Sequence, residues 1–256
     1  MKTVKYEKMP VTIHDSNDAM GTAAANDLAD ILVDAIAAHG KASVILATGN
    51  SQLSLVTALR QKQDIAWDRV AVFHMDEYLG ISARHPASFR RYFEEKLVPF
   101  VHPRVFYGIK GDARDVEAEL ARYTALLAEH QPVACVLGIG ENGHLAFNDP
   151  PADFDTDRVI QVVTLDETCR QQQVGEGHFP SLDDVPKQAI TLTVPALLKP
   201  AHVLGVVPEA RKAPAVKAAL EGPVTPDCPA SILRTRPHVK LYLDRHSAAS
   251  LLEETS

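Results

Sequence analysis

Apolar residues recur along this chain in two alternating patterns, short unbroken apolar runs and longer stretches with helical spacing. Asn17 to His39 is the first of the longer stretches: Ala24, Leu28, Ile31, Leu32, Ala35 and Ile36 share one side, and Gly40 supplies a stop. Ala42 to Ala47 has no polar alternation, as expected of a strand covered on both faces, and runs into Thr48-Gly49-Asn50-Ser51 ahead of a helix over Leu53 to Leu59. The spacing then predicts a strand over Val70 to Met75, a helix over Ser88 to Leu97 capped by Ser88, and a short strand near Val105 to Tyr107. Asp115 to Glu129 predicts a surface helix with Val116, Leu120, Tyr123, Leu126 and Leu127 on its buried side. Val133 to Ile139 reads as another strand covered on both faces. From 150 to 186 no long periodic segment occurs except Val159 to Leu165, and a stretch of that length predicts a lid or binding loop. Strands resume at Ala189 to Thr193 and Val203 to Val207. A helix over Arg211 to Leu220, closed by Gly222, a strand over Val239 to Leu243 and a terminal helix complete the pattern.

Repeated strand-helix units with apolar strands predict an α/β fold, a mainly parallel sheet between helices on both faces. With 256 residues and no linker, repeat or low-complexity run, a single domain is the expectation. A formal charge of -7 leaves no basic face for nucleic acid or an anionic membrane. A small anion stays compatible, because local backbone groups and one or two cations suffice to hold it. Cys135, Cys169 and Cys228 are scattered without metal-type spacing, which suggests structural thiols in a reducing compartment. The start lacks a signal-peptide core and no apolar run approaches the ~18 residues of a membrane span, so a cytoplasmic protein is expected.

Three predicted strand ends carry polar groups that can converge: Thr48 to Ser51, Asp76 to Glu77 and Asn142 to Asp149. In open α/β sheets ligands bind beyond the carboxyl ends of the strands, which makes these groups the chemical candidates. Asp76-Glu77 alone also suits a solvated turn, and Asn148-Asp149-Pro150-Pro151 a simple turn. Gly49-Asn50-Ser51 lacks the lysine of a Walker loop, and Gly138-Ile139-Gly140-Glu141-Asn142-Gly143 lacks the following helix of a dinucleotide site, so no nucleotide cofactor is expected. His144 beside a carboxylate suits proton transfer near neutral pH. His74 reads as core, and a metal shared by His74, Asp76 and His144 lacks a ligand pair at helix spacing. Lys212, in the first turn of its helix, opposes the helix dipole, a placement that a bound anion explains.

Leu46-Ala47-Thr48-Gly49-Asn50-Ser51, Phe73-His74-Met75-Asp76-Glu77-Tyr78, His85-Pro86-Ala87-Ser88, the run from Gly138 to Pro150 and Asp184-Val185-Pro186-Lys187 together resemble the glucosamine-6-phosphate deaminase family. The resemblance runs in order from about Ala42 to the C-terminus. It implies a Rossmann-like three-layer α/β/α fold, no cofactor, no catalytic metal, and conversion of glucosamine 6-phosphate, or a related amino sugar phosphate, to a ketose phosphate and ammonia. By the same resemblance Asp76 is the base at sugar C2, His144 opens the ring with Asn142 and Asp149 helping, and Thr48, Gly49, Asn50, Ser51 and Lys212 hold the phosphate. Some members are hexamers, so a homo-oligomer is compatible, although no segment here specifies one.

The chain departs from the family pattern at several positions. Asn142 stands where many members have Asp, Asp149 where Glu is usual, and Asn50 where Gly is usual. The lid segment Arg170 to Phe179 is longer than its family counterpart, and Gly177 takes the place of a phosphate-clamping arginine, leaving Arg170 as the candidate lid contact. Two other functions compete. A 6-phosphogluconolactonase-like hydrolase usually continues Gly-His with Ala-Ser-Leu-Phe, whereas this chain has Leu145-Ala146-Phe147-Asn148-Asp149. A catalytically silent sugar-phosphate sensor fits the altered lid but not the intact Asp76 and His144.

Overall fold

In the computed structural model, which describes residues 1–252, eight strands form one sheet in the order β1-β2-β11-β10-β7-β3-β4-β6. They are β1 (Lys2–Tyr6), β2 (Met9–His14), β3 (Ala42–Leu46), β4 (Val70–His74), β6 (Val105–Tyr107), β7 (Ala134–Leu137), β10 (His202–Val207) and β11 (Val239–Asp244). Every pairing is parallel except β1 with β2. A second, antiparallel sheet of β5 (Asp76–Tyr78), β9 (Gln188–Leu192) and β8 (Ile160–Thr164) lies beyond β4. The helices are α1 (Asn17–His39), α2 (Leu53–Leu59), α3 (Phe89–Lys96), α4 (Val98–Val101), α5 (Val116–His130), α6 (Glu167–Gly175), α7 (Val194–Leu197), α8 (Ala213–Glu221) and α9 (Ala249–Leu252).

Alternate side chains of each central strand enter different cores, the consequence of a period of two in a sheet buried on both faces. Val44, Leu46, Val72 and Val136 pack with Leu28 and Leu32 of α1, Leu55 of α2 and Phe93 of α3. Ile45, Phe73, Cys135 and Leu137 pack on the opposite face with Tyr123 of α5 and Val216 of α8. This is the predicted three-layer arrangement. The local signals account for much of it: Ser16 Oγ accepts from Ala19 N at the start of α1, and Gly40, at φ 73°, ends that helix. Asp115 caps α5 in the same way as Ser16 caps α1. Ser88 does not cap α3 with its side chain; its hydroxyl donates to Glu77 instead.

The chain builds outward from β3 through β4 to β6, returns to place β7 on the other side of β3, and then continues to β10 and β11. The carboxyl ends of β3 and β7 therefore flank a topological switch point, the place where an open α/β sheet leaves a crevice. Within the 150–186 stretch expected as loop, the structure contains β8 and the nine-residue α6. Helix α6 carries mostly polar residues, so periodicity did not reveal it; Asp166, which accepts from Cys169 N, is its start signal. No helix among the described residues is long and apolar enough to cross a membrane.

Glu77 is fully buried and gathers the start of α3. Its carboxylate accepts from Ser88 Oγ at 2.7 Å, Phe89 N at 3.1 Å and Arg90 N at 3.0 Å, and meets Arg90 Nε at 3.4 Å. Burial raises its pKa, and these donors oppose the rise. Glu77→Ala strands the Ser88 hydroxyl and the helix N–H groups, while Arg90 keeps Asp112 at 2.9 Å and the Ile81 carbonyl, and is expected to cost about 1–3 kcal/mol in denaturant unfolding. A loss below 1 kcal/mol would show that solvent replaces this network.

Candidate active site

The cleft at the switch point is lined by the three strand ends singled out in the sequence. Ala47 to Gly49, Ser51 and Gln52 come from the end of β3, Met75 and Asp76 from the end of β4, and Gly138 to Gly140, His144, Ala146 and Phe147 from the segment after β7. Lys212 joins from the 3-10 turn before α8, and Gln172, Gln173, Glu176 and His178 come from the lid. Two glycines make the walls. Gly49 sits at φ 97°, a conformation that side chains oppose, and a Cβ on Gly140 would stand 2.2 Å from the His144 ring.

Asp76 is not in a solvated turn. It begins β5, opposite Thr191 of β9, and is 7% exposed. Burial, reinforced by the neighbouring Glu77 charge, raises its carboxyl well above the ordinary value. A raised pKa makes its carboxylate a stronger base, the property needed to take a proton from carbon. His74 is core, as expected: its Nε2 accepts from Ile109 N at 2.7 Å, and burial, with Arg90 and Arg122 adding to it, lowers its pKa to about 3.

His144 is held from behind. Its Nδ1 lies 2.7 Å from Asn142 Oδ1 and 3.3 Å from Asp149 Oδ1. Both neighbours are acceptors, so Nδ1 carries a proton and the ring is fixed with its other nitrogen free of that contact. Asn142 Nδ2 in turn donates to Asp149 Oδ1 and Asp166 Oδ2, both at 3.2 Å. Burial would raise the Asp149 carboxyl, but hydrogen bonds from His144, Asn142 and the Asp166 backbone hold it below its usual range. The shorter Asp149 thus reaches His144. Asn142 and Asp149 lie outside the cleft lining, so they position the imidazole. Cys169 stands close enough for a His144-Asp149-Cys169 trio of metal-ligand type, its donor atoms all within 4.8 Å. Burial, and the Asp149 and Asp166 charges, push this thiol far up, so it stays protonated and is a poor metal ligand.

Lys212 is 3% exposed, and its ammonium makes no ion pair within 4 Å among the described residues. Burial lowers its pKa, with the Glu176 charge opposing and Arg211 adding to the shift. A buried ammonium facing a cleft without a direct partner is costly unless an anion arrives. Thr48 and Ser51 line the same cleft, whereas Asn50 is exposed and takes no part in the lining. Arg170 also departs from expectation: its guanidinium donates to the Leu182 and Val185 carbonyls, bracing the lid away from the cleft. Sequence reasoning overlooked Gln52, Glu176, His178 and Arg211. The adjacency of Arg211 to Lys212 was the signal for the last.

The sequence pattern of the family described as Glucosamine-6-phosphate isomerases/6-phosphogluconolactonase matches residues 15–242. The chain belongs to this family. Curated relatives include a glucosamine-6-phosphate deaminase of Exiguobacterium sibiricum, 36% identical over 231 residues that cover 90% of each chain. Another, from Oenococcus oeni, is 37% identical over 80% of this chain and 85% of its own. Among solved family structures, a monomeric glucosamine-6-phosphate deaminase superposes with TM-score 0.86 at 30% identity, covering 94% of this chain and 99% of its own. A 6-phosphogluconolactonase from Shewanella baltica, at TM-score 0.76, 21% identity and 94% and 99% coverage, shares the fold.

Proposed function

We propose that this protein is a deaminating aldose-ketose isomerase, converting glucosamine 6-phosphate or a closely related amino sugar phosphate to the ketose phosphate and ammonia. The observation that carries the reading is the pairing of two proton-transfer groups in one cleft with a buried ammonium that has no ion pair among the described residues. Asp76 is a carboxylate with a raised pKa, and His144 lines the same cleft with its Nδ1 held by Asn142 and Asp149. The match to deaminases at 36–37% identity supports this reaction over lactone hydrolysis.

His144, oriented by Asn142 and Asp149, exchanges the proton needed to open the pyranose ring. Asp76 then takes the proton from C2 of the open-chain aldehyde, leaving an enol-amine, and returns it to C1. The resulting C2 iminium adds water and expels ammonia, leaving the C2 ketone. Water is the only co-reactant, and the isomerisation exchanges electrons within the sugar. Lys212, with Thr48, Ser51 and the Gly49 turn, holds the phosphate. Incubation of the purified protein with glucosamine 6-phosphate and its epimers is expected to give equal ammonia and ketose phosphate from at least one of them. Ammonia without ketose phosphate, or hydrolysis of a phosphogluconolactone instead, would refute the reading.

Lys212→Met removes the phosphate charge and the buried ammonium together. KM is expected to rise about 100-fold, in line with a desolvated charge contact worth a few kcal/mol, with a smaller change in kcat. The melting temperature is expected to rise, because no unpaired charge remains to desolvate. An unchanged KM would place the phosphate elsewhere.

A further inference from the structure

Arg211 and Lys212 are neighbours at the phosphate corner, but Arg211 is already saturated with carboxylates. Its Nη1 lies 2.9 Å from Glu141 Oε1 and 2.9 Å from Glu176 Oε1, and its Nε lies 2.5 Å from Glu209 Oε2. Two cations against three carboxylates leave this corner formally negative. A phosphate dianion entering that arrangement meets net repulsion in a partly desolvated site, where screening is weak.

Glu176 differs from the other two carboxylates. It belongs to the lid, immediately after α6, its side chain is 9% exposed against 36% for Glu141 and Glu209, and it lines the cleft beside Lys212. Burial alone would raise its pKa. The adjacent His178 ring and the Gln172 amide, with the Arg211 and Lys212 charges, outweigh burial and hold it at about 2. Of the groups that favour this carboxylate, Gln172, His178 and Lys212 line the cleft, where a phosphate oxygen would use them. Gln172 Nε2 donates to Oε1 at 2.9 Å, while His178 Nε2 lies 3.3 Å from Oε2 without completing a hydrogen bond. The buried His178 nitrogen is therefore a group whose hydrogen bonding Glu176 fails to complete.

Resting on the reading of the cleft as a sugar-phosphate site, we propose that Glu176 is an internal anion occupying the phosphate position. The substrate phosphate expels it, together with the end of the lid helix. His178 and Gln172 then pass from the lid carboxylate to the phosphate, while Arg211 keeps Glu141 and Glu209. The lid thus selects for ligands that outbid one carboxylate, which a dianionic phosphate does and an uncharged amino sugar does not.

Titration of inorganic phosphate into the whole protein tests this without relying on turnover. Glu176→Gln is expected to bind phosphate about tenfold more tightly than wild type, and to lower KM for the phosphorylated substrate by a similar factor. Unchanged or weaker phosphate binding by the folded variant would overturn the proposal, making Glu176 a support for Arg211 rather than a competitor. Absence of phosphate binding to both proteins would overturn it as well. Hydrogen exchange on the wild type is a second test that needs no variant. The amides of Glu176, Gly177 and His178, bonded to Gln172, Val174 and Gln173 carbonyls, are expected to exchange faster with phosphate bound. Equal or slower exchange contradicts expulsion. Tight phosphate binding without deamination would defeat the assigned reaction and leave the competition intact.

Discussion

Asp76→Asn is expected to lower turnover by about 10³-fold or more, the range for losing a positioned general base, while phosphate still binds and the melting temperature rises. The two effects have one origin. Asp76 is buried beside the buried Glu77, and both burial and that charge favour its neutral form. Its folded pKa lies above its unfolded value, so the folded state holds the extra proton between the two. The stabilising contribution is present below the unfolded carboxylate value, about 4, and is lost as pH rises through the folded value. Above the unfolded value the buried carboxyl forfeits stability that an amide keeps, and each 1 kcal/mol relieved corresponds to about 2–4 °C in a chain of this size. Melting curves across pH should therefore show the variant's advantage growing as the medium becomes less acidic. A variant that keeps C2 proton exchange, or that melts lower than wild type at every pH, would remove Asp76 from the role of base.

His144→Gln should be the second largest loss, about 10²- to 10³-fold in kcat/KM on the cyclic sugar. Glutamine supplies an amide N–H toward Asn142 and Asp149, but no nitrogen that gains and loses a proton near neutrality. The limb of the pH-rate profile contributed by the imidazole should vanish with it. Asn142→Ala and Asp149→Ala keep the imidazole and each remove one of the two acceptors at its Nδ1, so they are expected to cost less and to shift that limb rather than abolish it. An unaltered profile in His144→Gln would assign ring opening to another group.

Much of this architecture was legible because burial on both faces leaves unbroken apolar runs, as in β3 and β7, and because α1 carries both its cap and its glycine stop. The antiparallel β1-β2 pair was not singled out, since its outer strand is mostly exposed and lacks an apolar run. Helix α6 escaped for a related reason: it is short and polar, and touches the core mainly through Cys169 and Gln173. The candidate cleft was legible at its strand ends, where Thr48, Asp76 and His144 follow apolar runs, and the structure brings these residues together. What sequence spacing could not convey was direction. Arg170 turns into the lid to serve two carbonyls, Asn50 is exposed, and Glu176, one residue among many polar ones, meets Arg211 and shares the cleft lining with Lys212 only because the lid borders the cleft.

The fate of the hydrogen on C2 tests the central claim most directly. Amino sugar phosphate deuterated at C2 is given to the wild-type protein and the product is examined alongside released ammonia. Transfer by Asp76 predicts a slowed reaction and a ketose phosphate whose deuterium has moved to C1 or into water, one equivalent for each ammonia. Ammonia released while deuterium remains on C2 would show simple displacement of the amine and would contradict the account.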